Sequence, residues 1–173
     1  MRLLQSILYY DQNFFVWVLR RKHYARLVAI SYWLSKTGDG VWYAILGITL
    51  YWLEPAQGPK FLASGIAAFA LERPLYLVLK NSFRRGRPQT QGFPSHIVPA
   101  DEFSFPSGHT SAAFLVAVLA TWFYPHTALW AFGWASSVGM ARIFLGVHYP
   151  ADVVVGALMG SACALAGIRF VAL

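Results

Sequence analysis

Three short segments of the chain carry residue types that could bind and cleave a phosphate ester. The first runs from Lys80 to Pro88 and holds Lys80, Arg84, Arg85 and Arg87. Arginine offers a planar fork of donors that matches phosphate, and lysine adds a mobile point charge. A basic cluster beside a membrane has the same composition, so this segment alone indicates no more than an anion. The second, Phe105-Pro106-Ser107-Gly108-His109, opens an apolar run. Proline suits a first helical turn, and Ser107 and Gly108 leave backbone N–H groups at a helix start, where the dipole favours an anion. His109 can donate a proton beside that anion. The third holds Arg142, His148 and Asp152. The spacing of the last two puts them on one face of a helix start. A carboxylate there fixes the imidazole tautomer and stabilises its cation, which frees the other ring nitrogen to attack phosphorus. Taken singly, the second segment also fits a capped helix with an incidental histidine, and the third a structural His–Asp pair.

The elements that must position these residues are apolar. Of 173 residues, 57% are hydrophobic and only 12% charged, against about 25% charged in an ordinary soluble domain. Such a chain has too little polar surface for water, and a bilayer is its natural solvent. The 17% aromatic content fits the membrane interface. The net charge of +7 sits in short clusters between apolar runs, so a lipid headgroup fits better than nucleic acid. The single cysteine, Cys163, lies in an apolar run and reads as a small buried hydrophobe.

Residues 1–36 mix apolar and charged positions and predict amphipathic helices lying in the interface. Residues 37–173 predict one membrane-embedded unit. Its apolar runs are Val41–Leu53, Phe61–Leu79, Phe105–Tyr124, Thr127–Val147 and Ala151–Leu173, with a long polar loop over 80–105. The fold class is thus an all-α integral membrane helical bundle of about five to six spanning helices. Pro74 predicts a kink, and Glu72 and Arg73 are expected to pair inside the bundle. Gly156, Gly160 and Ala164 form a small-residue stripe for close packing. Because spanning helices alternate in direction, the end of the second run, the start of the third, the end of the fourth and the start of the fifth share one face. Lys80, Arg87, His109, Arg142, His148 and Asp152 all lie at those junctions.

Together the three segments resemble the signature of the type 2 phosphatidic acid phosphatase family. That signature is Lys, six residues, Arg-Pro; then Pro-Ser-Gly-His; then Ser-Arg, five residues, His, three residues, Asp. Ten of its eleven fixed positions are present in order; Ala141 stands where the family has Ser. The resemblance implies a metal-independent, cofactor-free phosphatase. By similarity, His148 is the nucleophile that forms a phosphohistidine, Asp152 orients it, and His109 is the acid. Lys80, Arg87, Ser107, Gly108 and Arg142 cradle the phosphate. It further implies a lipid phosphate substrate, such as undecaprenyl diphosphate, phosphatidylglycerophosphate or phosphatidate. The expected setting is a multi-pass position in a bacterial inner membrane, with the site on the outer face. A lipid phosphotransferase on the same scaffold would share the phosphoenzyme, and a non-enzymatic membrane protein would keep the His–Asp pair as structure. Asp39 and Asp101 read as helix caps or partners of nearby backbone and Arg groups, and Arg84 and Arg85 as contacts for lipid headgroups. Oligomeric state is not encoded in these motifs.

Overall fold

A computed structural model of the chain describes residues 2–99 and 101–172; residues 1 and 173, the outer ends of the expected division, and residue 100 lie outside them. Seven α-helices follow in order: α1 (Arg2–Leu19), α2 (Tyr24–Thr37), α3 (Gly40–Leu53), α4 (Gly58–Phe83), α5 (Gly108–Phe123), α6 (Ala128–Phe144) and α7 (Pro150–Ala172). No strand occurs among the described residues. α4 and α7 are long and apolar enough to cross a bilayer, and α3 and α5 are shorter apolar helices. Large apolar side chains point outward: Trp33, Trp52, Leu129, Trp130 and Phe170 are 72–78% exposed. In water such a surface would drive association; in lipid it is the ordinary outer face of a bundle.

The centre of the bundle is α5, which packs against α4, α6 and α7. Its inward residues Ala113, Leu115, Ala117 and Leu119 are fully or almost fully buried. Small residues on α7 allow the backbones to meet. A Cβ on Gly160 would fall 1.9 Å from the Ser111 carbonyl oxygen, and one on Gly156 would fall 2.6 Å from that of Ser107. Gly167 makes the equivalent approach to α4, at 2.6 Å from the Ser64 oxygen. Lipid tails supply no hydrophobic force between helices, so close contact of this kind is what holds them together.

Two boundaries differ from expectation. α4 runs beyond Leu79, the expected end of its apolar run, to Phe83, so Lys80 sits in its last turn rather than in a loop. Arg84, at φ 45°, ends the helix in the left-handed conformation. α5 starts at Gly108, leaving Pro106 outside the helix. The Ser107 N–H donates to the Asp152 carbonyl at 3.0 Å, which ties the entry of α5 to α7 instead of extending the helix backward.

Candidate active site

The α6–α7 connection is a tight turn that only glycine fits. Gly146 has φ 78°, and a Cβ there would lie 2.0 Å from the Pro94 oxygen. This turn carries Val147, His148 and Tyr149 into the protein, and all three are buried. The loop after α4 folds over it: the His96 N–H donates to the Leu145 oxygen at 3.0 Å, and Arg87 Nη1 donates to the Val147 oxygen at 2.7 Å. The ends of α4 and α6 and the starts of α5 and α7 thus meet at one end of the bundle.

A cavity of about 1690 Å³ opens there. Arg87, Gly108, His109, Arg142 and His148 all line it, as do Asp39 and Asp101. Away from this polar end its wall is apolar, formed by residues such as Ile48, Leu62, Phe69 and Val116. The cavity therefore has the shape of an amphiphile, with charge at one end and hydrocarbon along the rest.

The site residues expected from the sequence fall into two sets. Arg87, Gly108, His109, Arg142 and His148 reach the cavity; Lys80, Ser107 and Asp152 stand behind its wall. Lys80 Nζ donates to both Asp101 carboxylate oxygens at 2.7 Å and to the Phe103 carbonyl at 3.0 Å. Ser107 is fully buried, and its hydroxyl pairs with that of Thr110 at 2.8 Å. Asp152 lies near His148 without a hydrogen bond: Oδ2 is 3.8 Å from His148 Nδ1. Its carboxylate instead accepts from the Tyr149 N–H at 2.8 Å and from Arg85 Nη1 at 2.7 Å. Ala141 is buried and away from the cavity lining.

Four residues supply partners that the motif does not contain. Asp101 collects Lys80, Arg87 Nη2 at 2.5 Å and the Tyr76 hydroxyl at 2.7 Å. Burial opposes its ionisation, but hydrogen bonds from Lys80 and Tyr76 outweigh that and hold its carboxyl down at about 2. Asp39 precedes α3 without capping it; Oδ1 stands 3.1 Å from His109 Nε2. Ser35 on α2 accepts from Arg142 Nη1 at 2.6 Å. Asp11 on α1 is buried, accepts from Arg85 Nη2 at 2.6 Å, and caps the Ala151 N–H at 3.0 Å. Arg85 is therefore an internal strut between two carboxylates, not a contact for headgroups. It also stacks over the Tyr149 ring, 4.3 Å from its centroid. Asp11 and Asp39 lie about 70 or more residues from their partners, so no local spacing announces them. In the turn outside the helices, burial pushes the His148 imidazole down to about 4; Asp152 opposes this and the Arg142 charge reinforces it.

Comparison with known proteins agrees with this architecture. A bacitracin transport permease protein, BcrC of Bacillus licheniformis, is 30% identical over 83% of this chain and 71% of its own length. A decaprenylphosphoryl-5-phosphoribose phosphatase of Mycolicibacterium smegmatis is 36% identical over 60% of this chain, a match spanning 56% of that relative. Among solved structures, LpxE of Aquifex aeolicus superposes with a TM-score of 0.79 at 28% identity, covering 92% of this chain and 94% of that one. Residues 60–173 match the model of the PAP2 superfamily, a stretch that contains all three motif segments, and the chain belongs to that superfamily.

Proposed function

We propose that this protein is a metal-independent phosphatase of membrane lipid phosphates, working through a phosphohistidine intermediate. The observation that carries the reading is the convergence of His109, His148, Arg87 and Arg142 on the polar end of an otherwise apolar cavity. His148 attacks phosphorus in line through Nε2. The bond to the lipid oxygen breaks, and that oxygen leaves with a proton from His109. Water then attacks the phosphohistidine and gives its proton to His109, releasing inorganic phosphate. Arg87, Arg142 and the first N–H groups of α5, beginning at Gly108, hold the phosphoryl oxygens; phosphoryl transfer depends mainly on such positioning and charge. Lys80 acts through Asp101, adding positive charge behind Arg87. Ser107 fixes the start of α5, and Asp152, braced by Arg85 and Tyr149, presents its charge to the His148 imidazolium as it forms.

The proposed arrangement has residues 37–173 as the membrane core, with α3 to α7 spanning. Each of these helices begins or ends at the site in alternation. α1 and α2 lie at the interface over the same end. In support, Asp11 of α1 and both ends of α2 touch it: Tyr24 donates to the Phe144 carbonyl at 3.1 Å and Ser35 meets Arg142. The setting is a bacterial inner membrane with the site facing outward. The substrate is an undecaprenyl diphosphate, a phosphatidylglycerophosphate or a phosphatidate. The mycobacterial relative, named for a polyprenyl phosphate derivative, favours a long isoprenoid tail. Purified protein in detergent should release phosphate from such lipids and be inhibited by vanadate. His148→Ala should reduce release to background, and His109→Ala by roughly 10²–10⁴-fold. Undiminished turnover by His148→Ala would overturn the reading.

A further inference from the structure

Two more cations line the cavity and are left unused by the phosphate chemistry above: Lys36, which pairs with Asp39 at 3.4 Å, and Arg73 on α4. Along α4 the lining residues Leu62, Ile66, Phe69, Arg73 and Tyr76 recur every three or four positions and so form one face. The first three are hydrocarbon. Arg73 marks the change to polar wall, and Lys80 follows about 10 Å further along the axis. Arg73 therefore stands between the tail-lined part of the cavity and the phosphoryl site.

Its position is built, not incidental. Glu72 is fully buried and accepts from Arg73 Nη2 at 2.5 Å, from Arg73 Nε, and from the Ser111 hydroxyl at 2.6 Å. A carboxylate at this depth is costly unless paired, and here it fixes one edge of the guanidinium. The Nη1 side of the fork remains for a ligand, and the side chain is 48% exposed. The guanidinium carbon lies 4.8 Å from the Tyr76 ring centroid, and Lys80 Nζ lies 4.5 Å from the same centroid. One aromatic ring is thus the shared neighbour of the inner cation and of a cation behind the phosphoryl site.

We infer that Arg73 binds the second, lipid-proximal phosphate of a diphosphate lipid while His148 attacks the terminal one. This rests on the phosphatase reading and narrows its substrate class. An amphiphile lying in the cavity places whatever joins headgroup to tail beside Arg73. In a diphosphate lipid that group is an anion, which accepts a charge-assisted hydrogen bond from the free edge of the guanidinium. In a monophosphate of the same tail it is a neutral carbon chain, which gains nothing there.

The test is a matched pair, undecaprenyl diphosphate and undecaprenyl phosphate, assayed for phosphate release on the full chain in detergent. Removing Arg73 alone would strand the buried Glu72 charge, so the main variant is Glu72→Gln with Arg73→Gln. The ratio of kcat/KM for diphosphate over monophosphate should fall about tenfold, as expected for one hydrogen bond to a charged group, with the loss mostly in KM. Arg73→Lys keeps the charge but not the fork. It should lower the ratio by about threefold, and it decides the matter if the double variant does not accumulate. An unchanged ratio, including an equal loss on both lipids, overturns the inference while leaving the phosphatase reading in place. Wild-type protein that hydrolyses neither lipid overturns the inference, and the phosphatase reading falls with it only if phosphatidylglycerophosphate and phosphatidate are also left intact.

Discussion

His148 is buried in a turn that brings it against two arginines, and its protonation follows from that burial. With its imidazole held down at about 4, the ring is neutral and able to attack across the whole neutral range. The acid limb of kcat/KM, corrected for ionisation of the substrate phosphate, should therefore fall near pH 4 instead of near the ordinary 6.5. The same depression acts on stability. The unfolded chain takes up a proton at this position before the folded chain does, so stability is lost as pH falls from about 6.5 towards 4. Asp101 adds a second loss in the same direction, from 3.8 towards about 2. A limb near 6.5 would show that the ring is solvated in the working enzyme. Asp39 supports the other imidazole from outside the motif, at 3.1 Å from His109. Asp39→Asn keeps the shape of that contact but not its charge, and kcat should fall about tenfold with little change in KM. The three motif segments were legible because each packs its chemistry into a few consecutive residues at helix ends. Asp101 was legible only as a partner of nearby Arg groups, which its bond from Arg87 matches; the roles of Asp39 and Asp11 were not legible, because their partners lie 70 or more residues away.

At the scale of elements, the apolar runs anticipated α3 to α7 closely, since hydrophobic length is a strong signal in a bilayer. What composition did not encode was how α4 and α5 end. α4 runs beyond Leu79 to Phe83, and α5 starts late because the Ser107 N–H is committed to α7. The small-residue stripe on α7 was legible, and it has a measurable consequence. Gly160→Ala would drive a Cβ into the Ser111 carbonyl, so the helices must separate at a cost of about 1–3 kcal/mol. Gly133→Ala on α6 meets nothing within 4 Å and should stabilise the protein by about 0.5–1 kcal/mol, through the lower entropy of the unfolded chain. Opposite shifts of the thermal midpoint in detergent would verify that α5 and α7 meet backbone to backbone. α1 is bound to the site through Asp11, which holds Arg85 and caps α7. Asp11→Ala should therefore depress activity as well as stability, because Arg85 loses one of the two carboxylates that fix it against Asp152.

For the whole molecule, the arrangement of charge bears on which way the protein faces. The site end carries Lys80, Arg84, Arg85 and Arg87, with Arg20, Arg21, Lys22, Arg26 and Lys36 on or between α1 and α2; Lys60 and Arg169 lie towards the other end. The positive-inside rule applied to that count would turn the site to the cytoplasm. Several of these cations are not free to report topology. Lys80 and Arg87 are bound to Asp101, and Arg85 to Asp11 and Asp152. Removing them from the count weakens the cytoplasmic preference, and the outward orientation inferred from family resemblance stands against it. Gln91 allows the two to be separated, because it is exposed on the loop over the site end, where Gln12 donates to its side chain at 2.6 Å. The native thiol, Cys163, is buried and gives little background. Gln91→Cys should react with a membrane-impermeant maleimide in intact spheroplasts to the same extent as after detergent lysis. Reaction only after lysis would place the site, and the lipid phosphate that it draws on, at the cytoplasmic leaflet.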